Sequence, residues 1–364
     1  MTNSDFCFTF PSIRGIQAGR EYYVSMCPLK LIPKLFHFDD ESVMPEVRAQ
    51  RVLNKSRIPE IARYITNNPN DYTFSALTAS IDGEVSFDPV DSTSTDPNQL
   101  RLGTLRISMD STFIINDGQH RRAAIEMAIE KEPSLGNETI AVVFFIDRGL
   151  ERCQQMFADL NRHAIRPSAS LGVLYDHRDA IGAVTKYVAL NHYLFSRWLE
   201  FERSTLSARS KKLFTLSALH FATREFLREE ELQHPEKAQN NALTFWTEVA
   251  NHIAEWRMVA NGEMTAGELR TNYIHGHAVV LQALGRLGCA LIKEHPDDWR
   301  AYLCELNKID WSRKNTEWEG RAMTAGRMCK TGSHIALTTN LIKLKLGLSL
   351  TEDDNTFEQV KHND

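Results

Sequence analysis

The stretch IINDGQHRRAA, Ile114–Ala124, passes from one kind of secondary structure to another at a single Asp-Gly step. Apolar β-formers lead into Asp117-Gly118, and from Gln119 the chain turns to helix-forming Ala, Arg, Glu and Met. A helix starting there exposes unpaired backbone N–H groups and the positive end of its dipole, and Gly118 lets a ligand come close to the backbone. Arg121 in the first turn adds a planar fork suited to phosphate, and His120 adds a group that titrates near neutral pH. Asp117 serves either as N-cap or as a metal-phosphate ligand. The same residues also suit a plain capped turn with two solvated arginines, and spacing alone leaves both readings open.

Working outward, the first half alternates strands and helices. Strands are expected at Glu21–Leu29, Tyr72–Asp82, Leu102–Ser108, Ser111–Asn116 and Thr139–Asp147. The last, TIAVVFFID, is apolar throughout and predicts burial on both faces. Helical spacing covers Met44–Asn68, with Pro59 suited to a helix start, and His120–Pro133. The segment Asp88–Leu100 reads as a polar loop. From about Arg166 long helical patterns take over: Lys211–Leu232, Asn241–Val259, His277–Glu294 and Asp297–Ile309. The polar end, NTFEQVKHND, is expected to fray. The fold class is therefore α/β (α+β), with a mixed-sheet domain over residues 1–165 and a mostly α-helical domain over 166–364.

Composition narrows the function classes. The 364 residues carry 42 Lys plus Arg against 47 Asp plus Glu, a net charge of −5. That gives no general attraction to nucleic acid or anionic membrane, so a polyanion must be met locally. Six scattered cysteines without a CxxC pair read as reduced intracellular thiols, and no zinc is expected. The N-terminus lacks the layout of a secretory signal, and the longest apolar run, Ile140–Ile146, is far short of the ~20 residues of a membrane helix. A cytoplasmic protein without membrane association is expected.

The string INDGQHRRAAI resembles the signature of the DGQHR-domain proteins, whose fold is related to ParB/sulfiredoxin-like domains. The likeness extends to Ala49–Ile65, Tyr72–Gly83, Phe157–Leu171, Ser207–Leu219 and Leu337–Leu350, which resemble the DndB family associated with bacterial DNA phosphorothioation. The resemblance implies a ParB/sulfiredoxin-like N-terminal domain and a DNA-binding regulator, a repressor, of the phosphorothioation gene cluster. It implies nucleotide contacts at Gly118, Gln119, Arg121 and Asn161, with ATP or another NTP and Mg2+ as candidate cofactors and Asp117 as the metal ligand. Should the site hydrolyse NTP or nick DNA, Asp117, His120 and Arg121 are the catalytic candidates. Sulfiredoxin-type chemistry needs a Cys where this chain carries Gln119, so it is not expected. No GxxxxGK[ST] pattern points to a P-loop ATPase.

Candidate DNA contacts follow from local charge. Ser196–Arg228 carries seven basic against three acidic residues, among them Arg203, Arg209, Lys211 and Lys212. Ser207, Ser210 and Thr215 flank the Lys pair, as phosphate-positioning hydroxyls at a helix start would; a solvated helix face gives the same pattern. Arg162 and Arg166, in DLNRHAIRPS, are further candidates, while Arg51, Lys55 and Arg57 read as a solvated face. His275-x-His277 lacks the additional ligands of a zinc site and reads as packing or capping. Arg270 and Asn272 are expected to line a cleft between the domains. The Trp residues of the second half read as core. The partners expected are double-stranded promoter DNA, the modification enzymes as a docking alternative, and a second copy in a homodimer matching operator symmetry.

Overall fold

In the computed structural model, residues 6–36, 55–146, 155–156, 159–160 and 167–363 are described. The chain divides into two compact units, Met1–Ile165 and Arg166–Asp364.

The first unit is built on a seven-stranded sheet of β1 (Cys7–Gln17), β2 (Arg20–Pro28), β3 (Leu77–Asp82), β4 (Val85–Pro89), β5 (Leu102–Ser108), β6 (Thr112–Asp117) and β7 (Thr139–Ile146). Its order is β4-β5-β1-β2-β7-β3-β6. Neighbours are antiparallel except β3 and β7, which run parallel, so the sheet is mixed. Phe10, Leu105, Leu77, Ala79, Phe113, Ile115, Val142 and Phe144 point to one face. There they pack with Ile32 and Leu35 of α1 (Ile32–Leu35), Ile65 of α2 (Ile58–Asn67) and Ile125 and Ala128 of α3 (Gln119–Lys131). The pleat, which sends alternate residues to opposite faces, decides this split.

β7 departs from the sequence expectation. Ile140, Val142 and Phe144 are buried, whereas Ala141, Val143 and Phe145 are half-buried, so the strand buries one face fully and the other in part. The loop expected from Asp88 is partly ordered, since β4 runs to Pro89 and a 3-10 turn covers Gln99–Arg101. β6 is an edge strand, so the Asp-Gly turn that follows it lies at the sheet margin.

The second unit is mostly helical. Its core holds α5 (Ala180–Asn191), α7 (Leu216–Phe226), α8 (Pro235–Asn251), α9 (Ala254–Asn261), α11 (Ala278–Glu294) and α13 (Gly332–Lys345), after α4 (Ala169–Tyr175); α6 (Phe195–Trp198), α10 (Ala266–Asn272) and α12 (Trp299–Leu303) are shorter. Trp246, Trp256 and Trp318 are fully enclosed, which fits the core reading of the tryptophans. At the α7–α11 crossing a Cβ on Gly285 would stand 2.1 Å from the Ala222 carbonyl oxygen, so only glycine allows that approach.

Three expectations for the second unit are corrected. The helix expected from Lys211 begins at Leu216, with Thr215 Oγ1 accepting from the Ala218 amide at 3.1 Å as its N-cap. The pattern Asn241–Val259 is two helices, α8 and α9, separated at His252-Ile253. The polar C-terminus is not frayed but forms α14 (Glu352–Asn363), tied down by Arg321 to Glu358 at 2.6 Å and Lys343 to Asp354 at 2.6 Å. Charge pairs replace the apolar stripe that the sequence pattern lacked.

Candidate functional site

The turn after β6 is shaped by a bulge. Asp117 pairs with Thr78 and Ile115 with Ala79, which leaves Asn116 as the extra residue. Ile115 enters the core, while the buried Asn116 donates through Nδ2 to Ser80 Oγ at 2.7 Å. Gly118 follows in the left-handed region at φ 103°, and a Cβ there would lie 2.3 Å from Leu77 Cδ2. Both the backbone angle and the space demand glycine. Gly118 is the N-cap of α3, and among the described residues no side chain caps the helix. Asp117 is therefore not the cap that sequence allowed for.

Asp117 instead faces Arg121: Arg121 Nη2 donates to Asp117 Oδ2 at 2.6 Å and also meets the Ala76 carbonyl at 3.2 Å. Arg121 Nε is buried with no partner among the described residues. His120 is half-buried beside this pair in sequence. Gln119 turns inward and its Nε2 donates to the Ile115 carbonyl at 3.3 Å, so its side chain braces the turn. Arg122, which sequence grouped with Arg121 on a solvated face, is buried. Its Nε donates to the Phe36 carbonyl and its Nη2 to the Pro33 carbonyl, both at 2.9 Å, while Glu126 balances its charge. One arginine of the pair is thus structural and one half-exposed. Asn161, Arg162, Arg166 and Arg51 lie outside the described residues; Lys55 and Arg57 are exposed.

The basic segment of the second unit is a loop. Arg203, Arg209 and Lys211 are exposed, and Lys212 is half-buried with Nζ donating to the Arg197 carbonyl at 2.8 Å. Arg270 fastens this loop from α10, donating to the carbonyls of Lys212, Ser210 (2.8 Å) and Ser207 (3.2 Å). Burial pulls its guanidinium below the usual arginine range. Arg270 therefore braces the loop within its own unit. Asn272 contributes its carbonyl to the Arg313 amide at 2.8 Å.

Two of the flanking hydroxyls, those of Thr215 and Ser210, are engaged within the protein. Thr215 caps α7, and Ser217 is buried with its amide donating to Ser170 Oγ at 3.2 Å, so the start of α7 is satisfied internally. Ser210 Oγ accepts from the Lys212 amide at 3.2 Å. What the loop offers is cations on an anchored backbone, the arrangement that positions phosphate without reading bases.

His275 and His277 have separate roles. His275 Nε2 lies 3.2 Å from Glu255 Oε2, and burial holds its imidazole below the usual range against the opposing pull of that carboxylate. His277 Nε2 donates to the Arg270 carbonyl at 2.8 Å. No group of three His, Cys, Asp or Glu residues arranged to hold a metal occurs among the described residues. Among the described residues Asp117 would offer a divalent cation one carboxylate, already bonded to Arg121, and that described donor set does not fit a resident metal ion. Among the described residues no helix is long and apolar enough to cross a membrane.

Residues 10–349 match the family model DndB, described as DNA-sulfur modification-associated. No curated protein and no solved structure matches the chain.

Proposed function

The chain belongs to the DndB, DNA-sulfur modification-associated family, and from that premise we propose that it regulates a DNA phosphorothioation gene cluster by binding promoter DNA as a repressor. The observation that carries this reading is the loop with exposed Arg203, Arg209 and Lys211, whose backbone Arg270 holds in place. A chain of net charge −5 needs such a local concentration of cations to meet DNA. Anchoring lowers the entropy lost when those side chains engage phosphates.

The Asp117–Arg121 turn is a second phosphate contact in this reading, either with the DNA backbone or with the phosphates of a nucleotide such as ATP. Support comes from the start of α3, where no described side chain caps the helix, and from the half-exposed Arg121. Binding there requires Arg121 to exchange Asp117 for phosphate, which couples phosphate binding to the release of a carboxylate. A homodimer on a two-fold operator completes the proposal.

Gel retardation with the promoter region of the modification cluster, in parallel with unrelated DNA of equal length, tests it. Retardation of the promoter that survives unrelated competitor supports the repressor. No retardation at low salt, with capture of the modification enzymes instead, would replace it with an interaction subunit.

A further inference from the structure

Cys304, His252 and Asn307 form a cluster within the second unit that shares no residue with the basic loop. His252 ends α8 as its C-cap. Cys304 and Asn307 belong to the 3-10 helix Cys304–Lys308, where residues three apart share one edge. Both reach the same imidazole: Cys304 Sγ is 3.7 Å from His252 Nε2, and Asn307 Nδ2 is 3.2 Å from His252 Nδ1. Asn307 Nδ2 also donates to the Cys304 carbonyl at 3.1 Å, so the amide nitrogen rather than its oxygen faces the ring. Nδ1 must then accept, and the neutral ring carries its proton on Nε2, directed at the sulfur. The Arg300 carbonyl, 3.7 Å from Sγ, accepts from the thiol.

The other described cysteines contrast with this one. Cys27 is buried and its thiol is pushed up to about 12 by burial, and burial also raises Cys289. Cys7 and Cys329 are half-buried, whereas Cys304 is exposed. A hydrogen-bond donor fixed on an accessible sulfur stabilises the negative charge that sulfur carries when it acts as a nucleophile. The tautomer set by Asn307 makes His252 a donor to the thiolate rather than a base, which suits reaction with a diffusing electrophile.

We propose that Cys304 is a reactive thiol oxidised by small hydroperoxides, with His252 donating to the sulfur and Asn307 as the positioning residue. Cys304 Sγ attacks the terminal peroxide oxygen, and the S–O bond forms as the O–O bond breaks. Sulfur is oxidised by two electrons to the sulfenic acid. The leaving oxygen is reduced and departs as alcohol or water with the proton that the thiol released.

The test treats the reduced full chain with limiting hydrogen peroxide in the presence of dimedone and reads each cysteine by mass spectrometry. Cys304 should be trapped fastest, with Cys7 and Cys329 as references within the same molecule. His252→Ala should slow trapping at Cys304 on the order of tenfold, the scale of losing one hydrogen bond to a charged atom, while the reference cysteines keep their rates. Asn307→Leu, which leaves the imidazole in place but frees its tautomer, should also slow it and serves if His252→Ala does not fold. Trapping at Cys304 no faster than at Cys7 and Cys329, or unchanged in a folded variant, overturns the proposal.

Discussion

Arg121 Nη2 lies 2.6 Å from Asp117 Oδ2 across the first turn of α3, so the cation proposed to meet phosphate is charge-balanced before any ligand arrives. Replacing Asp117 by Asn should therefore free Arg121 and strengthen retention of DNA or nucleotide several-fold, whereas Arg121→Ala should weaken it. A site in which Asp117 held a metal would lose binding in both variants. The stability cost of Asp117→Asn should stay within about 1 kcal/mol, because the pair is partly open to solvent, with Asp117 47% exposed. Filter binding together with a urea melt reads both effects.

Gly118 should be the least tolerant position of the turn. Gly118→Ala introduces a side chain at φ 103° and an approach of 2.3 Å to Leu77 Cδ2, which Leu77 must move to relieve. The expected loss is about 1–3 kcal/mol from the backbone strain, measured by equilibrium urea unfolding. A variant as stable as the parent would mean that the turn does not need its left-handed glycine.

Buried and exposed charge pairs in the second unit should behave differently. Lys343 and Asp354 are 6% and 5% exposed at 2.6 Å, and Lys343→Ala leaves Asp354 uncompensated, at a cost of about 3–5 kcal/mol. Lys345 and Glu317 lie 2.7 Å apart in the open, and Lys345→Ala should cost no more than about 1 kcal/mol. Denaturant midpoints of the two variants give the comparison directly.

Acid should weaken the helical unit through its buried histidines. Burial pushes His192 from 6.5 to about 4, and its Nδ1 faces the amides of Leu194 and Phe195 at 3.3 Å, an arrangement that requires a lone pair there. Between these values the unfolded chain binds the proton that the folded chain refuses. Stability should therefore fall as pH drops from 6.5 toward 4, by about 3 kcal/mol for this residue. His275 and His277, also lowered by burial, act in the same direction. His192→Gln retains an acceptor without titrating, and its pH–stability curve should be flatter over that window.

Much of the fold was legible because strand and helix periods differ. β5 occupies Leu102–Ser108 as its pattern specified, and the change at Asp117-Gly118 located both β6 and α3. β1 carried no such signal: Pro11 and Gly15 interrupt CFTFPSIRGIQ, yet the strand lies between β5 and β2, opposite Thr104 and Tyr22 at those residues. The site was legible in outline only. Sequence named Asp117 and Arg121 but could not show that they bind each other, nor that Gln119 and Arg122 turn inward, because the backbone carbonyls that hold those side chains leave no sequence mark. Arg270 illustrates the same limit, since its partners are carbonyls of a loop some sixty positions away in the chain.

The repressor reading is tested most directly by the salt dependence of binding to the cluster's promoter DNA, measured by fluorescence anisotropy for the wild-type chain and for Arg203→Ala/Arg209→Ala/Lys211→Ala. The account predicts that the wild type prefers the promoter over unrelated duplex. It also predicts that the triple variant binds more weakly, with a log–log salt slope shallower by about one for each phosphate that is no longer neutralised. Equal affinity for both duplexes, or an unchanged slope in the triple variant, would contradict it.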